Sequence, residues 1–222
     1  MPDIRWHILT IGHLSRNKFW GESDDQAYRA PLCTSTLIQV DDRTIVVDPS
    51  CADSEMVRVL AQRTGLKPEA VDTVFLTHFH GDHRVGLTAF PDARWRMAAA
   101  DIASWTAQVA PGSPEQELLL RLEPVTNELA SGITLLPTPG HSTAHTSLVF
   151  TSGGLRVVVA GDAVMTRDFF AARDVYFNTV DRVAAVQSIA AIAEMADIVV
   201  PGHDNYFLNR RRAEHERGGT GG

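Results

Sequence analysis

The chain has 222 residues, 44% of them hydrophobic and 21% charged, with a formal net charge of −7. That supply of apolar side chains is enough for a sizeable core in one domain and excludes a disulfide-stapled miniprotein. No run approaches the roughly 18 consecutive apolar residues of a membrane span, and the acidic balance disfavours a general nucleic-acid surface, since phosphate binding draws on clustered Lys and Arg. The two cysteines, Cys33 and Cys51, follow no apolar leader, because residues 1–12 carry Asp3, Arg5 and His7. The expectation is a reduced, cytoplasmic protein. One domain is expected over 1–209, with Arg210, Arg211 and Arg212 opening a solvated basic and Gly-rich tail over 210–222.

In chain order, IRWHILTIG at 4–12 reads as a strand, and the polar stretch from His13 to Thr34 as a loop of lid length, with Phe19, Trp20 and Tyr28 as apolar anchors. STLIQV at 35–40 and TIVVDP at 44–49 flank Asp41, Asp42 and Arg43, the spacing of a hairpin. A helix follows, with Asp53 or Ser54 as N-cap, Met56, Val57, Leu60 and Ala61 at helical spacing, and Gly65 as its stop. VDTVFLT at 71–77 reads as a buried strand that delivers the run THFHGDH. Beyond it, strands are expected at 94–100, 133–141, 147–152, 155–162 and 198–204, and helices at 114–122 and 181–197. The last helix shows Val183, Val186, Ile189, Ala190 and Ala193 on one face.

Five of these strands end in a group of metal-binding type: Asp48, the cluster His78, His80, Asp82 and His83, then His141, Asp162 and His203. Imidazole nitrogen and carboxylate oxygen are ligands preferred by zinc and its borderline neighbours, and an H-x-H-x-D-H spacing can serve two adjacent ions from one loop. Strands of a sheet bring their same-direction ends to one edge, so ligands distant in sequence converge there. Five of the nine histidines belong to this set, whereas His7, His13 and His215 read as isolated surface or core groups.

With THFHGDH at 77–83, TPGHS at 138–142, GDA at 161–163, PGHD at 201–204 and the weaker VVDP at 46–49, the chain resembles the metallo-β-lactamase-fold hydrolases over about positions 35 to 205. The resemblance implies an α/β (α+β) fold, a four-layer αβ/βα sandwich with metals at one edge between two sheets. It further implies a first ion held by His78, His80 and His141, a second held by Asp82, His83 and His203, and Asp162 bridging them. Asp48 then supports the ligand loop. Two divalent ions are expected, zinc foremost, with manganese and iron open. The complete ligand set sets the chain apart from relatives that place cysteine, asparagine or glutamate in this loop.

The expected activity is hydrolysis of a small ester-like substrate, a lactone or thioester, by a hydroxide shared between the ions. Asp82 is expected to take or hand on the proton. His145, four residues after His141, is either an oxyanion donor or a structural hydrogen-bond partner, and Tyr206 is a candidate phenolic donor. Arg167, Phe169, Phe170, Arg173 and Tyr176 fall where relatives build a substrate wall. Other readings are a phosphodiesterase or nuclease on the same site and an iron-dependent sulfur dioxygenase. The expected partner is a small molecule, with a homodimer open and no membrane or nucleic acid.

Overall fold

The computed structural model describes residues 2–209, so the expected basic tail lies outside the described residues. Two six-stranded sheets pack face to face. The first comprises β1 (Ile4–Thr10), β2 (Ser35–Val40), β3 (Arg43–Val47), β4 (Thr73–Leu76), β5 (Arg94–Ala98) and β6 (Glu123–Val125), in sequential order. The second comprises β7 (Glu128–Ala130), β8 (Ile133–Pro137), β9 (Thr146–Ser152), β10 (Leu155–Gly161), β11 (Ile198–Pro201) and β12 (Phe207–Leu208), also in order. The helices are α1 (Asp53–Thr64), α2 (Gly81–Arg84), α3 (Ala99–Thr106), α4 (Pro114–Arg121), α5 (Arg167–Ala172) and α6 (Arg182–Met195).

The two-residue period of the strands sorts side chains into three cores. Ile38, Ile45, Val47 and Phe75 point between the sheets and meet Leu148, Phe150, Val157, Val159 and Val200 of the second sheet. Their neighbours Leu37, Val46, Val74 and Leu76 point outward and pack with Met56, Val59 and Leu60 of α1 and Leu119 of α4. On the far side, Val158, Ala160 and Val199 pack with Ala185, Ile189 and Ile192 of α6. This is the four-layer αβ/βα sandwich that the motifs imply. Strands covered on both faces are uniformly apolar, as the valine-rich runs of β3, β10 and β11 are.

Several local expectations change. Helix α1 is capped by Ala52, which has no side-chain acceptor, in place of Asp53 or Ser54, while Gly65 ends it at φ +74 as the sequence suggests. Val57 is exposed and Val59 takes its place in the core. In α6 the buried face is Ala185, Ser188, Ile189 and Ile192; Val183 and Val186, expected inside, are exposed. Small residues dominate the inward face of α6, and a count of large apolar residues therefore picks the wrong side. The run 94–100 divides into the whole of β5 and the start of α3, and β6, β7, β12, α2, α3 and α5 were not expected. Phe19, Trp20 and Tyr28 are largely exposed, and Leu14, 2% exposed, anchors the 13–34 segment instead, packed with Met165, Phe169 and Tyr176.

Candidate metal centre

The expected ligands gather at one edge of the sandwich. Strand β4 ends one residue before Thr77, placing His78 and His80 in the following loop, and one-turn α2 carries Asp82 and His83. His141 follows β8 on a loop held against the start of α6, where the Asp181 N–H donates to the Gly140 carbonyl at 2.9 Å. Parallel pairing of β10 with β11 sets Gly161 opposite Pro201, which brings Asp162 and His203 side by side just past the strand ends. Glycine makes this approach possible: a Cβ on Gly202 would collide with Asp162 Oδ1, and one on Gly161, at φ +51, would strike Thr77 Oγ1 and His145 Nε2.

Two groups of facing donor atoms result, His78, His80, His141 and Asp162 in one and Asp82, His83 and His203 in the other. In the first, His80 Nδ1 lies 2.8 Å from His78 Nε2 and 2.9 Å from His141 Nε2, while Asp162 Oδ2 is 3.2 Å from His141 Nε2. In the second, His203 Nε2 lies 3.5 Å from Asp82 Oδ2. Asp162 Oδ1 reaches toward this second group, 3.1 Å from His83 Nε2 and 3.3 Å from His203 Nε2. Asp162 thus stands between the two groups, one oxygen toward each.

The outer hydrogen bonds fix which nitrogen of each ring faces inward. Asp48 accepts from the Thr77 N–H at 2.8 Å, the Thr77 hydroxyl at 2.7 Å and His83 Nδ1 at 2.9 Å. Because the Thr77 proton goes to Asp48, His78 Nδ1 donates to Thr77 Oγ1 at 3.2 Å. His203 Nδ1 donates to the Leu32 carbonyl at 2.8 Å and also approaches the His13 carbonyl at 3.2 Å. Each of these three rings therefore keeps a proton on Nδ1 and turns Nε2 toward the centre, the arrangement that orients metal-binding imidazoles. Asp48 adopts φ +50, a costly conformation for a non-glycine residue, held by its three donors.

Charge and burial favour a cation here. Burial drives His78 well below the usual histidine range and His141 down to about 4, so both are neutral at pH 7. Burial also opposes protonation of His83, but Cys33 and the carboxylates of Asp162 and Asp48 outweigh it and raise this ring above its ordinary value. Burial would raise Asp162, yet the imidazoles of His83, His203 and His141 hold it well below the usual carboxylate range. Two buried atoms pointing into the cluster, His83 Nε2 and Asp162 Oδ1, lack a properly oriented hydrogen-bond partner. Converging lone pairs with unmet demand are what a divalent cation satisfies. The donor set fits the implied metal. Cys33 is fully buried nearby, its thiol pushed up to about 12 by burial and 3.5 Å from the Asp48 carbonyl oxygen, so it is protonated at neutral pH.

A cavity of about 240 Å³ opens over the cluster, reaching His80, Asp82, Asp162 and His203 on one side and Leu14, Ser15, Tyr176 and Phe177 on the other. Of the expected wall, Tyr176 lines it. Phe169 and Phe170 are buried in packing, Arg173 ends α5 at φ +51, and Arg167 lies over the Phe207 ring. Tyr206, expected as a donor, is half exposed and packs edge-on against Trp6 at 5.3 Å, lining a separate groove with Arg167 that contains none of the histidines. For His145 the geometry leaves only the structural role: Nε2 accepts the Asp162 N–H at 3.1 Å, and Nδ1 donates to Thr138 Oγ1 at 2.9 Å. That direction follows because Ser147 donates to the Ala160 carbonyl, so Thr138 must donate to Ser147. No proton remains on His145 for an oxyanion. Leu14, Ser15 and Phe177 were missed because loop residues without periodicity carry no sequence signal of what they face.

A profile of the metallo-beta-lactamase superfamily matches residues 29–203. The chain belongs to this superfamily. Among metallo-β-lactamase relatives, a hydroxyacylglutathione hydrolase of Xanthomonas axonopodis pv. citri is 30% identical over 187 residues, 81% of this chain and 63% of that protein. An N-acyl homoserine lactonase of Bacillus cereus is 29% identical over 164 residues, 70% of this chain and 65% of that one. The matches thus span slightly less than two thirds of these relatives. The fold superposes on a Bacillus thuringiensis protein solved with N-decanoyl-L-homoserine at its active site, with TM-score 0.69, 20% identity and coverage of 97% and 95% of the two chains. A dizinc quorum-quenching lactonase gives TM-score 0.65 and 17% identity, over 77% of this chain and 72% of that one.

Proposed function

We infer that this protein is a metal-dependent hydrolase of small ester-like substrates, a lactone or a thioester, working with two divalent cations, zinc foremost. The observation that carries the reading is the pair of inward-facing donor groups joined by Asp162, with His78, His83 and His203 each oriented by a partner behind the ring. His78, His80 and His141 would hold one cation, Asp82, His83 and His203 the other, and Asp162 both. Bound there, the cations would polarise the substrate carbonyl and make water a nucleophile near neutral pH.

The chain's own residues do the rest. Asp48, Thr77 and the Leu32 carbonyl hold the imidazoles so that little reorganisation accompanies reaction. Asp82 is the least buried carboxylate of the set, with its side chain 21% exposed, and lines the cavity, which suits it to take up a proton and pass it to the leaving oxygen or sulfur. Leu14, Met165 and Phe177 exclude water from one side of the cavity and hold the apolar part of a substrate.

Elemental analysis of protein purified without added metal, followed by lactone and thioester hydrolysis assays, tests this reading. Two equivalents of zinc or manganese with turnover are expected, and turnover falling at least a hundredfold in His80→Ala and Asp162→Ala. A single iron, or full activity in both variants, overturns it.

A further inference from the structure

Resting on that hydrolase reading, we propose that Ser15 is a specificity-determining residue that selects substrates carrying an N–H or O–H donor beside the scissile carbonyl. The argument is an accounting of protons across the cavity wall. Tyr176 Oη lies 3.2 Å from the Arg16 carbonyl oxygen and 3.0 Å from Ser15 Oγ. A carbonyl oxygen only accepts, so the single phenolic proton goes to Arg16. The bond between the two hydroxyls must then run from Ser15 to Tyr176. With its proton spent on the phenol, Ser15 Oγ keeps two lone pairs and no donor.

Ser15 lines the same cavity as His80, Asp82, Asp162 and His203, so this acceptor shares the substrate's space. It is held there. The Ser15 carbonyl accepts from Tyr28 N–H at 2.8 Å and Arg29 N–H at 3.2 Å, and Arg29 also donates to the Leu14 carbonyl at 3.0 Å. Tyr176 is itself buried, packed against Phe169 and Phe177 at 5.9 and 4.6 Å between ring centroids. A fixed hydroxyl whose proton is committed reads donors and turns away acceptors, which would meet lone pair with lone pair. Asn178 and the carboxylates of Asp82 and Asp162 also line the cavity with acceptor oxygens, whereas Leu14, Met165 and Phe177 carry none, so the Ser15→Ala variant isolates the share of Ser15.

The test is a matched pair of γ-butyrolactones, one bearing an α-acetamido group and the other an α-(2-oxopropyl) group, which replaces N–H by methylene. The wild type is expected to favour the acetamido lactone by roughly tenfold in kcat/KM, mostly through KM, and Ser15→Ala to bring the ratio within about threefold of unity. Tyr176→Phe frees the Ser15 proton and is expected to erode the same ratio. The two corresponding cyclopentanones, which have neither a ring C–O bond to open nor a ring N–H, give Kd by calorimetry and are expected to show the same order and the same loss in Ser15→Ala. Equal kcat/KM for the lactones, a ratio unchanged in Ser15→Ala, equal cyclopentanone Kd values, or binding of neither cyclopentanone overturns the proposal. If neither lactone is opened, the lactone branch of the hydrolase reading fails, and the cyclopentanone Kd ratio still decides the role of Ser15.

Discussion

Asp48 Oδ2 accepts from His83 Nδ1 at 2.9 Å while the same carboxylate holds the backbone and hydroxyl of Thr77. One buried side chain, 1% exposed, therefore sets the tautomer of His83 directly and that of His78 through Thr77. Replacing Asp48 by Asn keeps the shape but turns one acceptor into a donor. The amide then faces His83 Nδ1 with a proton and favours the ring that protonates Nε2. Zinc affinity is expected to fall about 10- to 100-fold, measured by competition with a chromophoric chelator, with circular dichroism unchanged. Affinity equal to wild type would show that Asp48 does not orient these rings.

Metal uptake is expected to be coupled to proton release. His83 and His203 are both raised above the ordinary histidine value: burial opposes their protonation, and it is outweighed at His83 by Cys33, Asp162 and Asp48 and at His203 chiefly by Asp162. A cation must displace these protons, so affinity is lost as pH falls through the range where both rings are charged and is gained as pH rises. Calorimetry of zinc binding at pH 7 in buffers of different ionisation enthalpy should show a net release of at least one proton. Identical enthalpies across buffers would contradict this.

Gly202→Ala is expected to disrupt the centre far more than its size suggests. The new methyl would occupy the position of Asp162 Oδ1 and push that carboxylate from between the two groups. Gly153, at φ +58 with open space where a Cβ would sit, is the control, where alanine meets only backbone strain of about 1 kcal/mol. Metal content by elemental analysis should fall in the first variant and stay at the wild-type value in the second.

Asp101 in α3 is completely buried, and neither its oxygens nor the Trp105 indole N–H makes a well-formed hydrogen bond. Burial pushes its carboxyl up to about 7, with the nearby Trp105 pulling it back. The folded chain therefore binds a proton here more tightly than the unfolded one. Stability from this group is full below about pH 4 and is lost as pH rises to 7, by at most about 4 kcal/mol. Asp101→Asn should remove that slope, raising Tm relative to wild type at pH 8 and much less at pH 5. Parallel Tm curves for the two proteins would refute the assignment.

The centre was legible in the sequence because its chemistry is short-range. His78, His80, Asp82 and His83 fall within one short run, and glycine precedes His141, Asp162 and His203, with Gly202 sitting where a Cβ would strike Asp162 and Gly161 where it would strike the supporting Thr77 and His145. The sheets were legible because strands buried on both faces are uniformly apolar. The inward face of α6 was not, since Ala185 and Ser188 pack there while Val183 lies outside. Ser15 and Tyr176 acquire meaning only from contacts between residues 161 positions apart, for which no local pattern exists. Tyr206 illustrates the converse: nearness to His203 in sequence did not bring it to the cavity, because the chain turns away into β12.

The neck of the 13–34 segment is held by main-chain groups. His13 and Leu32 pair with each other through main-chain groups, and their carbonyls receive His203 Nδ1. Any amino acid supplies a carbonyl, so the anchoring of His203 does not depend on which side chains lie between these two points. Side chains within residues 14–31 can therefore be replaced without removing the carbonyls that hold His203, so substitutions there would alter the cavity wall while the ligand geometry beneath keeps its main-chain support.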